Sequence, residues 1–157
     1  MKTYTDNKRG YQIDLPNDWR MDDKKPPIIS GLLFRIIYGG PLTNGLAFIR
    51  GSNETLETLN ISVEAMPPGI TPEATQQFFM EYVHQAGYAG VSFGRILVGG
   101  KEHTWARYQI AENVWSKKYM IVLNGVGYAI TACFKDNGTL YQKEAEWDVI
   151  ARSLQLR

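Results

Sequence analysis

The chain has 157 residues, 44% hydrophobic, 12% aromatic and 21% charged, a globular profile whose length fits one domain, residues 1–157. Seventeen Lys and Arg against sixteen Asp and Glu leave a net charge of +1, which gives no electrostatic footprint for nucleic acid or an anionic membrane. Two His and one Cys exclude a sequence-evident zinc site and any internal disulfide.

The opening Met1-Lys2-Thr3-Tyr4-Thr5-Asp6 is polar from its first residues and carries no hydrophobic segment of the kind a signal peptide needs. Two compartments stay open. The chain is cytoplasmic if Met1 is its native start, and extracytoplasmic or a lipoprotein if Met1 replaces a removed leader. No apolar run approaches the roughly 18 to 20 residues that span a bilayer. The longest, such as Tyr119 to Leu123, are strand-sized.

Tyr4 to Asp6 and Tyr11 to Leu15 flank the polar turn Asn7 to Gly10, and alternation puts Tyr11, Ile13 and Leu15 on one face of a half-buried strand. Pro16 ends it, Trp19 follows in a short extended piece, and Pro26-Pro27 stiffens the next connection. Leu32 to Tyr38 is rich in strand formers and stops at Gly39-Gly40-Pro41, which predicts a strand. Leu46 to Arg50 predicts another, then a polar loop runs from Gly51 to about Thr58. Asn60 to Ala65 alternates again, with Ile61, Val63 and Ala65 facing in.

The first helix is marked by Thr71 as N-cap, Pro72 at the first helical position and Glu73 in the first turn. Ala74, Phe78, Tyr82, Val83 and Ala86 are expected to form its buried side, with Phe79 beside them and Gly87 as its stop. Four strands follow in succession: Val91 to Val98, His103 to Ile110, Val114 to Leu123 and Gly127 to Phe134. Asn124-Gly125 supplies the hairpin turn before the last of them. Such tight spacing without intervening helices predicts antiparallel pairing. Tyr119, Ile121 and Leu123 alternate with Met120 and Val122, so the sheet is apolar on both faces and covered on both. The second helix is expected to open on a capping box of Thr139 and Gln142. Its apolar stripe is Leu140, Trp147, Ile150, Ala151 and Leu154, with Lys143, Glu144, Glu146 and Asp148 mostly solvated. The fold class read from these elements is α+β, an α-β-α sandwich with a mainly antiparallel sheet.

Chemistry is sparse. His84 has only Glu81 and glutamines near it on its helix, and His103 enters a strand from the Gly99-Gly100 turn, so no metal ligand set is assigned. Cys133, between Ala132 and Phe134, reads as a packed core thiol. No nucleophile elbow, phosphate loop or zinc-protease motif is present, and no catalytic, cofactor-binding or metal residue is expected. Triplets beginning at Asn53, Asn60 and Asn137 read as local structure rather than glycosylation sites. The most suggestive polar pattern alternates along two strands: Trp105, Arg107 and Gln109 on one, Trp115, Lys117 and Tyr119 on the other. Aromatic and cationic side chains on one face can grip a partner's carboxylate or extended segment. The plain alternative is an end-of-sheet stripe with Arg107 stacked on an aromatic and reaching water.

Tyr4-Thr5-Asp6, then Gly10-Tyr11-Gln12-Ile13, then Pro16-Asn17-Asp18-Trp19 resembles the start of the PsbP-like domains of the Mog1/PsbP superfamily. The close is similar too, with an Asn-Gly hairpin, the strand Tyr128 to Phe134 and a helix ending Trp147, Ile150, Ser153 and Leu154. The resemblance covers most of the chain, except Met21 to Thr58, and rests on packing and turn residues. It implies an α-β-α sandwich serving unlike roles: photosystem II extrinsic subunits, a Ran-binding import factor, bacterial lipoproteins and cytosolic chaperones of secretion effectors. Negative chemistry and the resemblance together lead to the expectation of a noncatalytic accessory module with a protein partner. The alternatives are an effector chaperone or adaptor, and a small-ligand carrier or enzyme using a pocket lined by Trp105, Arg107 and Trp115. Gln109 and Lys117 complete the candidate surface.

Overall fold

The computed structural model describes residues 1–22, 45–52 and 55–157. In chain order it holds β1 (Lys2–Asp6), β2 (Tyr11–Leu15), β3 (Arg20–Met21), β4 (Gly45–Arg50), β5 (Glu57–Ala65), α1 (Pro72–Ala86), β6 (Ala89–Val98), β7 (Lys101–Ala111), β8 (Val114–Leu123), β9 (Val126–Lys135), α2 (Leu140–Arg152) and β10 (Gln155–Leu156). The strand expected over Leu32 to Tyr38 lies outside the described residues.

Seven strands form one sheet in the order β3-β4-β5-β9-β8-β7-β6, and β1-β2-β10 form a small second one. Every pairing among the described residues is antiparallel. Asn124 and Gly125 both take positive φ, 51° and 76°, as the two-residue turn between β8 and β9 requires. β5 starts at Glu57, earlier than expected, because Glu57 to Asn60 already pair with β4 on one side and β9 on the other. Its far end leaves the core: Ile61 is buried, Val63 is half-buried and Ala65 is exposed.

α1 and α2 cover opposite faces. Under α2 and the small sheet lies the main core, in which Tyr11, Ile13, Leu15, Tyr119, Ile121, Ile130, Trp147 and Ile150 are fully buried. Under α1 a smaller core joins Phe79 and Val83 to Ala106, Tyr108, Met120 and Ala129. This is the α+β sandwich, each face of β8 feeding a different core. No helix among the described residues is long and apolar enough to cross a membrane.

Three helical details differ from the sequence reading. The buried stripe of α1 is Thr75, Phe79 and Val83, so Phe78 and Tyr82 turn outward, while Ala86 is exposed as well. Thr71 does cap, its hydroxyl accepting the Ala74 N–H at 3.1 Å. At α2 the capping box does not form. The Asp136 carboxylate instead accepts the N–H groups of Gly138 and Thr139 at 2.9 and 3.1 Å, and the Thr139 hydroxyl donates to Asn137. Nor is the polar side of α2 mostly solvated: Glu144 is buried, and Lys143, Glu144, Glu146 and Asp148 all form ion pairs with the sheet.

Candidate functional site

Antiparallel register brings the aromatic and cationic residues of β7 and β8 together. Trp105 stands opposite Tyr119, Arg107 opposite Lys117, and Gln109 opposite Trp115, all on the face beneath α2. The Lys117 ammonium is 4.0 Å from the Trp105 ring centroid, and the Arg107 guanidinium is 5.6 Å from that of Trp115. Their counterions come from α2. Arg107 donates to Glu144 Oε2 at 2.8 Å, and Lys117 reaches Glu144 at 3.2 Å and Asp148 at 3.0 Å. The Tyr119 hydroxyl donates to the same Asp148 oxygen at 2.5 Å, and its burial and that carboxylate push its pKa far up. Glu144 and Asp148 are four apart, so one helical face presents both to the two strands. Lys117 is 2% exposed, and Trp105, Arg107, Gln109 and Trp115 are half-buried. Charge on this face is thus balanced from within.

A second cluster flanks the other side of α2. Glu57, 1% exposed, receives Arg50 and Lys143 at 2.5 Å each and the Trp147 Nε1–H at 3.2 Å. Arg50 also pairs with Glu146 and lies 4.6 Å from the Trp19 ring centroid. Trp147 therefore sits between two ion-pair clusters that hold its helix down. Sequence reading missed these acids. The available signal was the spacing of Glu144 and Asp148, beside the apolar stripe rather than opposite it.

The open feature is on α1. Phe78 and Tyr82, 54% and 45% exposed, line a cavity of about 250 Å³ with Met66, Phe79 and Met120. Gly127 makes room for the two methionines: a Cβ there would stand 2.6 Å from Met66 Cγ and 3.0 Å from the Met120 sulfur. The Lys118 ammonium lies 5.6 Å from the Tyr82 ring centroid, and Tyr82 meets Tyr88 and Tyr108 edge-on. Burial among these rings pushes the Tyr82 pKa up to about 12. A larger cavity, about 320 Å³, lies at the start of α1, but polar groups on its wall are already engaged. Thr104 donates to the Pro72 carbonyl at 2.6 Å, and both His103 ring nitrogens are hydrogen-bonded.

Cys133 is buried, which pushes its thiol up to about 12, out of the range of a nucleophile at neutral pH. No group of three His, Cys, Asp or Glu among the described residues is placed to hold a metal ion.

No family model and no curated protein matches the sequence. Solved structures do match. The solution structure of cyanobacterial PsbP (CyanoP) from Synechocystis sp. PCC 6803 is 16% identical with a TM-score of 0.65, over 99% of this chain and 92% of that one. The Saccharomyces cerevisiae Ran-binding protein Mog1p is 9% identical with a TM-score of 0.60, over 99% and 94%. A Bacteroides thetaiotaomicron protein is 13% identical with a TM-score of 0.59, over 99% of this chain and 48% of its own. At these identities the likeness concerns architecture, and this chain has the PsbP/Mog1-like fold.

Proposed function

We propose that this chain is a noncatalytic accessory module that works by holding another protein. The observation that carries this reading is the groove on α1, with Phe78 and Tyr82 standing exposed one turn apart on its rim. Exposed aromatics beside an apolar hollow are surface that a partner's side chains cover. The hollow, about 250 Å³, is below the usual range of small-molecule sites and takes one or two apolar anchor side chains. Polar groups do not converge in it as a carrier or an acid–base site requires, since Lys118 leans on Tyr82 and Glu64 is exposed. A neighbour in fold, the Ran-binding Mog1p, is a precedent for protein recognition on this scaffold. The aromatic–cationic face enters through Trp105, Gln109 and Trp115, which are half-buried, while Arg107 and Lys117 hold α2 in place.

The test begins with affinity capture from native extract, using the chain and its Phe78→Ser/Tyr82→Ser variant as paired baits. A captured protein is then purified and its affinity for both baits measured. The expected result is a defined complex that the double variant weakens about tenfold or more. A partner held equally by both baits, or a small molecule retained in native mass spectrometry with no protein partner, overturns the reading.

A further inference from the structure

The seven-stranded sheet ends at the two-residue β3 on one side and at the ten-residue β6 on the other. Only β7 pairs with β6, and no other strand among the described residues lies along its outer row of N–H and C=O groups. A register shift between Ala89 and Ser92 breaks the first part of this edge. From Ser92 to Val98 pairing is regular, a run of about 23 Å at the ordinary strand rise. That run contains no proline or lysine to blunt it. Its one charged side chain, Arg95, is drawn back toward α1 and donates to Gln76 Oε1 at 2.7 Å.

What flanks the edge selects its occupant. On one face the Trp105 indole lies where any side chain at Gly94 would collide, and Trp115 reaches across β7 to within 2.8 Å of a Cβ at Gly90. Both indoles therefore lie over the edge strand and border whatever is added to it. Toward the end of the run a cavity of about 300 Å³ is lined by Arg95, Ile96, Leu97, Glu102 and Arg152. Two basic residues and one acid border it, Arg95 from the α1 side of the strand and Arg152 from the last turn of α2. Arg95 bonds only the neutral oxygens of Gln76 and Gly94, and Arg152 makes no ion pair among the described residues. In an antiparallel pairing of two copies centred on Arg95, the two Arg95 side chains would stand opposite each other, like charge against like.

We propose that β6 is a strand-addition edge for an extended segment of a partner protein bearing acidic side chains. The segment's backbone pairs along Ser92 to Val98, and its carboxylates reach Arg95 on the α1 side of the edge and Arg152 on the α2 side. This rests on the protein-binding reading and names the chemistry of the partner.

The probe is a short fluorescent peptide of Val and Thr with two adjacent Glu at its centre, one for each face of the added strand, beside two controls: Lys in place of Glu, and the Glu peptide N-methylated on alternate amides. Binding is followed by polarisation and by hydrogen exchange of the β6 amides. The Glu peptide is expected to bind and to slow exchange along Ser92 to Val98, while both controls fail. Arg95→Glu/Arg152→Glu is expected to weaken it about tenfold or more, with the thermal midpoint of the variant checked against the parent. The proposal is overturned by an inert Glu peptide, by an N-methylated peptide that binds as well, or by affinity that survives charge reversal. It is also overturned if the chain dimerises through β6 in sedimentation. If these fail while the Phe78→Ser/Tyr82→Ser bait still loses its partner, strand addition alone falls.

Discussion

His103 shows how one buried ring couples the fold to pH. Its Nδ1 accepts the Val122 N–H at 3.1 Å and its Nε2 is 3.1 Å from the Val98 carbonyl, a pair of bonds that needs the neutral ring with the proton on Nε2. Burial, helped by the Lys101 charge and opposed by the Val98 carbonyl, holds its pKa below the ordinary 6.5. Above 6.5 the ring is neutral whether the chain is folded or not, and its contribution is complete. Below that, the unfolded chain binds a proton that the folded ring resists, and stability falls until the pH has passed the folded pKa. The urea midpoint is expected to drop between about pH 7.5 and about pH 5.5, and His103→Gln is expected to flatten that drop. Equal slopes in the two proteins would remove His103 from this role. Cys133 makes a simpler statement: with its thiol buried and raised to about 12, labelling by a thiol reagent at pH 8 should proceed only as fast as the chain opens.

At the scale of an element, α2 is held by apolar burial along its centre and ion pairs along both flanks. Trp147 is fully buried against Phe134, with ring centroids 5.3 Å apart, and supplies a donor to Glu57. Trp147→Ala should cost about 3–5 kcal/mol in denaturant titration, whereas Trp147→Phe, keeping most of the packing, should cost about half as much. Lys117→Met leaves Asp148 with the Tyr119 hydroxyl alone and Glu144 with Arg107 alone, a loss of about 3 kcal/mol. Adding Glu144→Gln to it should cost less than the sum of the two single changes, because the groups share one network. Strict additivity would mean that the cluster is not coupled. Sequence periodicity was enough to place α2, its Trp147 stripe and the β7–β9 run, because alternation and helical spacing are local properties. It could not show that Glu144 and Asp148 lie over Arg107 and Lys117, since that depends on which helix crosses which strands. For α1 it placed Phe78 and Tyr82 on the buried side with Val83, and set Phe79 beside them. Phe79 and Val83 are buried because they pack with Tyr108 and Met120 of the sheet, which local hydrophobicity does not report.

For the molecule as a whole, the two faces of the sheet are unequally secured. The α2 face joins a helix, the small sheet and two ion-pair clusters into the main core, with Trp147, Ile150 and Ala151 all fully buried. The α1 face offers Thr75, Phe79 and Val83 as its buried helical residues, and polar ties such as Thr104 to Pro72 and Arg95 to Gln76. With less apolar area and no charge cluster, α1 should open at a free energy below that of global unfolding, whereas α2, β8 and β9 open only with the whole chain. Native-state hydrogen exchange in increasing denaturant reads this directly. The amides of Phe79 to Val83 are expected to join the global isotherm only at high denaturant, after showing a shallow, lower-energy opening of their own. Phe79→Ala should lower that opening energy strongly, while Phe78→Ser, on the exposed side, should shift it by less than about 1 kcal/mol. An element that opens separately can adjust to what enters the groove beside it, which is where ligand-contacting segments are usually found. If the α1 amides instead exchange with the same energy as those of α2, the two faces are one cooperative unit. The Phe78–Tyr82 groove would then be a rigid surface that its partner must fit as it stands.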